Sequence, residues 1–201
     1  FRRERYSGQY MGHHTKSKGF TIVELIIVVV VIAILATVTI VAYRGVTKSA
    51  YNTQIVSGTS SYYDAIKTYY LVKRTYPKTQ RELDGQRIAM TCLGTGYKNA
   101  ACGQVTGVNV YEDAAFNSQM MSFLKSTTNP VSDMTIPIPG ESYIGAVYGI
   151  DSTSASSTGY ARVIEYALHG KNQSCGISDA WAYSSSNDST ACEIVIEEIS
   201  F

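Results

Sequence analysis

Glu24 is the residue of this chain most in need of a chemical partner. It stands at the edge of residues 25–42, which are 18 consecutive positions without a charged side chain. A carboxylate carried toward the centre of an apolar medium costs about 2.5–3.5 kcal/mol on insertion scales, so it needs a partner or a reason to stand there. The other reactive residues assemble no comparable chemistry. His169 is the only histidine after residue 14, and no nucleophile or acid stands at a recognisable spacing from it. It reads as a histidine at the end of a strand. Gly-x-Ser-x-Gly, His-Glu-x-x-His and a phosphate loop are all missing from the sequence, and Gly94-Thr95-Gly96 reads as a turn. Asp179, Asp188 and Glu193 are too dispersed for a calcium cage, and the four cysteines contain no Cys-x-x-Cys pair for zinc. Neither an enzyme, a metal site nor a cofactor is expected.

The element that positions Glu24 is the apolar run. As a helix its 18 residues span about 27 Å, enough to cross a bilayer core. It is longer than a secretory signal's apolar region, and no small-residue cleavage site follows before Tyr43-Arg44. Arg2, Arg3, Arg5, Lys16 and Lys18 precede it against one acid, Glu4, while Arg44 and Lys48 open the following flank. That excess places the N-terminal side in the cytoplasm and the rest of the chain outside.

The junction Lys18-Gly19-Phe20-Thr21-Ile22-Val23-Glu24, running into this segment, closely resembles that of the type IV prepilins, including the pseudopilins of type II secretion. The likeness covers residues 16 to about 42. It implies cleavage after Gly19, methylation of the new Phe20 amine, and a role for Glu24 in pairing with the Phe20 amine of a neighbouring subunit. Met11 would open a short leader ending at Gly19, so residues 1–10 read as a start-site artefact. One departure from the family stands out. Many pilins carry a helix-breaking glycine and proline in the middle of the run, and residues 33–41 contain neither. They hold instead five consecutive β-branched residues, from Thr37 to Val41, which weaken a helix only mildly.

The sequence holds 17 Lys and Arg against 16 Asp and Glu. Residues 1–19 take five of the former and one of the latter, leaving 12 and 15, a net of −3. That balance does not suggest nucleic-acid binding. Three parts follow: a cytoplasmic leader (1–19), a transmembrane and filament-core helix (20–47), and an exported head (48–201), long enough for one proper core. The head carries Cys92, Cys102, Cys175 and Cys192, and an even count in an exported domain points to two disulfides. Three connectivities are open. Local pairing, Cys92–Cys102 and Cys175–Cys192, closes two short loops and is the one adopted. The second loop also resembles the C-terminal disulfide-bounded loop of many pilins.

Tyr51, Ile55, Tyr62, Ile66 and Tyr69 or Tyr70 extend a helical stripe beyond the apolar run, and no proline occurs between Phe20 and Pro77. One helix is expected over residues 21–72, about 78 Å long. Tyr76-Pro77 ends it, and the spacing Tyr69-Tyr70, Tyr76-Pro77, Leu83 resembles the helix exit of many pilins. Residues 92–107 read as a Gly-rich, disulfide-closed excursion, and 112–125 as a short helix stopped by Asn129-Pro130. Strands are expected at 134–138, 143–150, 160–168 and 193–199, with the third alternating between two faces. Residues 151–158 read as an exposed Ser/Thr loop. The fold class is α+β: a long membrane-spanning helix whose C-terminal half packs on an antiparallel sheet, as in the type IV pilin fold.

Sixteen tyrosines suit either wet interfaces or packing of helix against sheet. Trp181, between Cys175 and Cys192, reads either as an exposed contact residue or as a plug for the end of the sheet. Asn172-Gln173-Ser174 and Asn187-Asp188-Ser189 fit the glycosylation pattern, which arises often by chance.

The function that these readings imply is a structural subunit of a type IV pilus or related filament, serving surface attachment or motility. Its partners are other copies in a helical homo-oligomer, prepilin peptidase, a membrane assembly platform, and the bilayer before assembly. It would begin as a single-pass protein of the cytoplasmic membrane and end in an extracellular filament. A pseudopilin of a type II secretion or DNA-uptake system is the near alternative. A monomeric single-pass membrane-anchored binding protein is the alternative of another class.

Overall fold

Helix α1 (Ile22–Lys73) runs for 52 residues, one position displaced from the stretch expected, because neither proline nor a charge cluster interrupts it. The computed structural model describes residues 19–105, 107–124, 136–138, 141–152, 157, 159–186 and 188–198. The leader up to Lys18, the stop at Asn129-Pro130, most of the Ser/Thr loop and Asn187 lie outside them. Through the β-branched stretch the helix continues, with the Thr37 hydroxyl donating to the Ile34 carbonyl and Thr39 to those of Leu35 and Ala36. At the far end Arg74 takes a left-handed backbone (φ 58°), and its N–H donates to the Tyr70 carbonyl at 2.8 Å. Tyr76-Pro77 then follows, as expected.

The chain divides after Tyr43 into two compact units. In the first, every side chain described is exposed, including the apolar ones. The second unit, from Arg44 onward, holds the rest of α1 and two antiparallel sheets. A five-stranded sheet has the order β1 (Ala89–Cys92), β6 (Ala146–Ser152), β7 (Tyr160–His169), β9 (Ser189–Glu198), β8 (Trp181–Ser185). A four-stranded sheet has the order β3 (Val108–Tyr111), β2 (Ala101–Val105), β5 (Glu141–Tyr143), β4 (Ile136–Ile138). Two short helices, α2 (Gln80–Leu83) and α3 (Ala114–Met121), complete it. Ile55, Tyr62 and Ile66 of α1 are buried, and they share one apolar cluster with Tyr148, Ile164, Tyr166, Leu168 and Ile194 of the large sheet.

Several expectations need correction. Almost all of β7 is buried, on both of its alternating faces. The reason is the second sheet: β4 packs against β7 and β9, and the Tyr143 hydroxyl of β5 donates to buried Glu165. Residues 92–107 are no mere excursion, since they enclose β2 and end β1. Residues 143–150 are two strands rather than one, the first of them entering the small sheet. The short helix spans Ala114–Met121 instead of 112–125, because Asp113 caps it: Oδ1 accepts from Phe116 N at 3.0 Å. Asp113 Oδ2 also accepts from Gln80 N at 2.6 Å, so one carboxylate caps α3 and secures the start of α2. Gly94 and Gly96 both have left-handed backbones, as a turn there requires.

The disulfides are Cys92–Cys102 and Cys175–Cys192, the local pairing. The first staples β1 to β2. The second ties the β7–β8 connection to β9. Loop-closure entropy assigns about 3 kcal/mol to bridges of this span, so reduction is expected to lower the melting midpoint of the head by about 6–12 °C per bridge. Thermal melts by near-ultraviolet circular dichroism with and without reductant check this, and superimposable curves would contradict it.

Of the 16 tyrosines, Tyr143, Tyr148 and Tyr166 lie fully in the core, and each hydroxyl is satisfied. Tyr148 donates to the Pro77 carbonyl and Tyr166 to that of Cys175, both at 2.7 Å. Burial pushes the hydroxyls of Tyr97, Tyr148 and Tyr166 above the ordinary tyrosine range. For these residues the packing role holds.

Candidate processing and assembly site

Gly19, Phe20 and Thr21 precede α1 without regular structure, and the helix begins at Ile22. Thr21 and Glu24 fix that start together. The Glu24 N–H donates to Thr21 Oγ1 at 3.2 Å, while the Thr21 N–H and hydroxyl donate to Glu24 Oε2 at 2.9 and 2.7 Å. This is a reciprocal capping box, in which a threonine and the glutamate three residues on satisfy each other's orphan amides. A carboxylate in the first turn also suits the positive end of the helix dipole. In the uncut chain Glu24 is therefore held locally rather than left bare. The Thr-x-x-Glu spacing was the readable signal for the role of Thr21, which the sequence reading missed. Phe20 is 82% exposed, so the Gly19–Phe20 bond is bordered by an open side chain.

Beyond the cap, α1 contains a window long and apolar enough to cross a membrane, none of it buried. An isolated helix of this kind, presenting apolar side chains all round, is stable only in lipid or against other apolar helices.

Among the described residues no catalytic constellation accompanies the helix. His169 closes β7, where its main-chain N–H donates to Asn52 Oδ1 at 2.7 Å and its carbonyl accepts from Asn52 Nδ2 at 2.9 Å. Burial, with Lys48 nearby, pushes its imidazole below the usual histidine range. Asp179, Asp188 and Glu193 form no common site. Asp179 accepts a hydrogen bond from the Tyr63 hydroxyl and lies 4.0 Å from Lys67 Nζ; Glu193 is buried in β9 and Asp188 lies in the turn before it. Among the described residues no three His, Cys, Asp or Glu side chains gather in a ligating group. Trp181 lies on the edge strand β8, 40% exposed, edge-on to the Tyr183 ring at 6.2 Å. It flanks the sheet and does not plug it.

Residues 14–40 match the family model of the prokaryotic N-terminal methylation motif. The chain thus carries the signature of the type IV prepilins and pseudopilins, and its α+β architecture, a long apolar N-terminal helix with an antiparallel β-sheet head, fits the type IV pilin fold. Type IV pilins are structural subunits rather than enzymes. No curated protein and no solved structure matches the chain.

Proposed function

We propose that this protein is a structural subunit of a type IV pilus or closely related filament. The observation that carries the reading is the methylation motif set at the start of a helix whose membrane-length apolar window is wholly uncovered. Prepilin peptidase cuts between Gly19 and Phe20 and the new amine of Phe20 is methylated. The subunit waits in the cytoplasmic membrane with residues 20–47 in the bilayer and residues 48–201 outside. An assembly platform then extracts it, and the apolar helices bundle with one another. Two disulfides and a head of two sheets favour a surface pilus over a secretion pseudopilin, and surface attachment or motility as its use.

Glu24 acts as the register key. Once Phe20 carries a free amine, the carboxylate that Thr21 holds in the precursor has a cationic partner on the neighbouring subunit. Two opposite charges removed from water together attract far more strongly than in water, and only subunits in register satisfy both. Glu24→Ala is expected to lower the filament yield at least about tenfold, corresponding to about 1.4 kcal/mol lost per contact, at unchanged subunit level. Shear fractions probed by immunoblot read the outcome. Filaments at wild-type abundance would rule out the register role.

A further inference from the structure

We propose that the groove between α1 and the end of β7 binds an uncharged oligosaccharide. The groove holds about 800 Å³ and lies within the second unit, a volume in the ~300–1,000 Å³ range of small-molecule sites. Its floor is one row of α1. Gly45, Ser49, Thr53, Ser57 and Ser61 recur at every fourth position, and none is larger than threonine. Four residues of helix rise about 6 Å, so hydroxyls stand at about that interval along the floor. Across from them, the end of β7 and the segment after it supply His169, Gln173 and Ser174. Among the described residues, the lining side chains with a full charge are Lys48 and Asp64, about 24 Å apart along α1. An anion or a cation would therefore meet one counter-charge, and an apolar ligand little beyond Val56 and Leu168. A polyhydroxylated, uncharged chain meets hydrogen-bonding groups along the whole length.

Two of the floor hydroxyls have their protons committed. Thr53 donates to the Ser49 carbonyl and Ser61 to that of Ser57, both at 2.9 Å. Their oxygens keep lone pairs for an incoming donor, which a sugar hydroxyl is. The small side chains also let a broad ligand lie close to the helix backbone. An extended peptide would be read through pockets for its alternate side chains, and a row of small residues offers none.

His169 adds an independent sign. It is 7% exposed, and its Nε2 has no hydrogen-bond partner among the described residues. Asn52 of the groove wall holds both main-chain groups of His169, which fixes where the residue sits. The Lys48 ammonium, with burial, pushes the imidazole below its usual range, so the ring lies toward the Lys48 end of the groove and is neutral at pH 7. A buried polar atom without a partner is costly. A sugar hydroxyl, which donates and accepts alike, supplies the missing bond without bringing a charge.

The test uses the full chain in zwitterionic, sugar-free detergent micelles, titrated by calorimetry with maltoheptaose, cellohexaose and chitohexaose. At least one of the three is expected to bind, with an affinity that salt leaves unchanged. Thr53→Leu together with Ser57→Leu, at two exposed helix positions, fills the floor and should weaken binding at least about tenfold at an unchanged thermal midpoint. His169→Leu removes the orphan nitrogen, so its midpoint should hold or rise while its affinity falls, which separates binding from folding. Lys48→Gln should alter affinity less than about twofold. Trp181→Ala, at an exposed ring on β8 that could itself stack on a sugar, should leave it unchanged. No binding of any of the three sugars, equal binding by the filled or the His169→Leu variant, or loss of binding with Trp181→Ala would overturn the proposal. So would loss with Lys48→Gln, because the site would then be reading an anion, or a Gly/Ser decapeptide binding as tightly as the sugars. These outcomes do not depend on whether the chain forms filaments.

Discussion

Replacing Gly149 with alanine is expected to prevent the head from folding. Gly149 sits inside β6, in register with Met90 of β1 and Val163 of β7, at a backbone φ of 152°. A Cβ built there would stand 2.0 Å from the Ala89 carbonyl oxygen and 2.8 Å from Met90 Cα. The obstructing atoms are main chain, so no rotamer change relieves them, and β1 must part from β6. That separation would remove Ala89, Met90 and Cys92 from the core, together with one end of the Cys92–Cys102 bridge. Loss on this scale is about 4 kcal/mol or more, a large share of the ~5–15 kcal/mol that holds a domain together. The readout is soluble, protease-resistant head in the exported fraction. A Gly149→Ala chain with the wild-type urea midpoint would show that β1 is not held as described.

The second large effect concerns Arg162. A register shift between Arg162 and Val163 interrupts the alternation of β7, and the arginine, 3% exposed, reaches across to the segment after α1. It grips Glu82 with both terminal nitrogens, lies 3.4 Å from Glu197 Oε2, and approaches the Pro77 carbonyl at 3.5 Å. Breaking a buried pair by removing one partner is costly because the survivor keeps its desolvation penalty without its attraction. Arg162→Met is therefore expected to destabilise the head by about 3 kcal/mol. Adding Glu82→Gln should restore part of that loss, since the stranded carboxylate is then gone. Urea melts of the two single variants and the double measure the coupling, expected to exceed about 1 kcal/mol. Strict additivity would mean that the pair contributes nothing beyond its separate side chains.

How far the residues announced this arrangement depends on whether each signal is local. The long helix was legible from end to end, because an uninterrupted apolar run and a helical stripe through Ile55, Tyr62 and Ile66 are properties of neighbouring residues. The position of β7 was equally plain, but its burial was not. The sheet that covers it is built from strands of three to five residues, one containing Pro137, which are too short and irregular for periodicity to register. Edge strand β8 was hidden by its serines. The Arg162–Glu82 pair spans 80 positions, and the double cap by Asp113 joins elements 33 apart; only the fold brings either together. The Thr21–Glu24 box is the opposite case. Thr21 and Glu24 stand three residues apart, so the spacing of a capping box lies open in the sequence itself.

The central claim is that this chain is cut and methylated before it is used, and mass spectrometry of the protein from membrane and sheared-surface fractions tests it most directly. A chain beginning at Phe20, heavier than the bare sequence by one methyl group on its N-terminal amine, is the result expected. Recovery of the protein only with Lys18-Gly19-Phe20 intact would contradict the account, and would leave a membrane-anchored protein whose Glu24 does no more than cap its own helix.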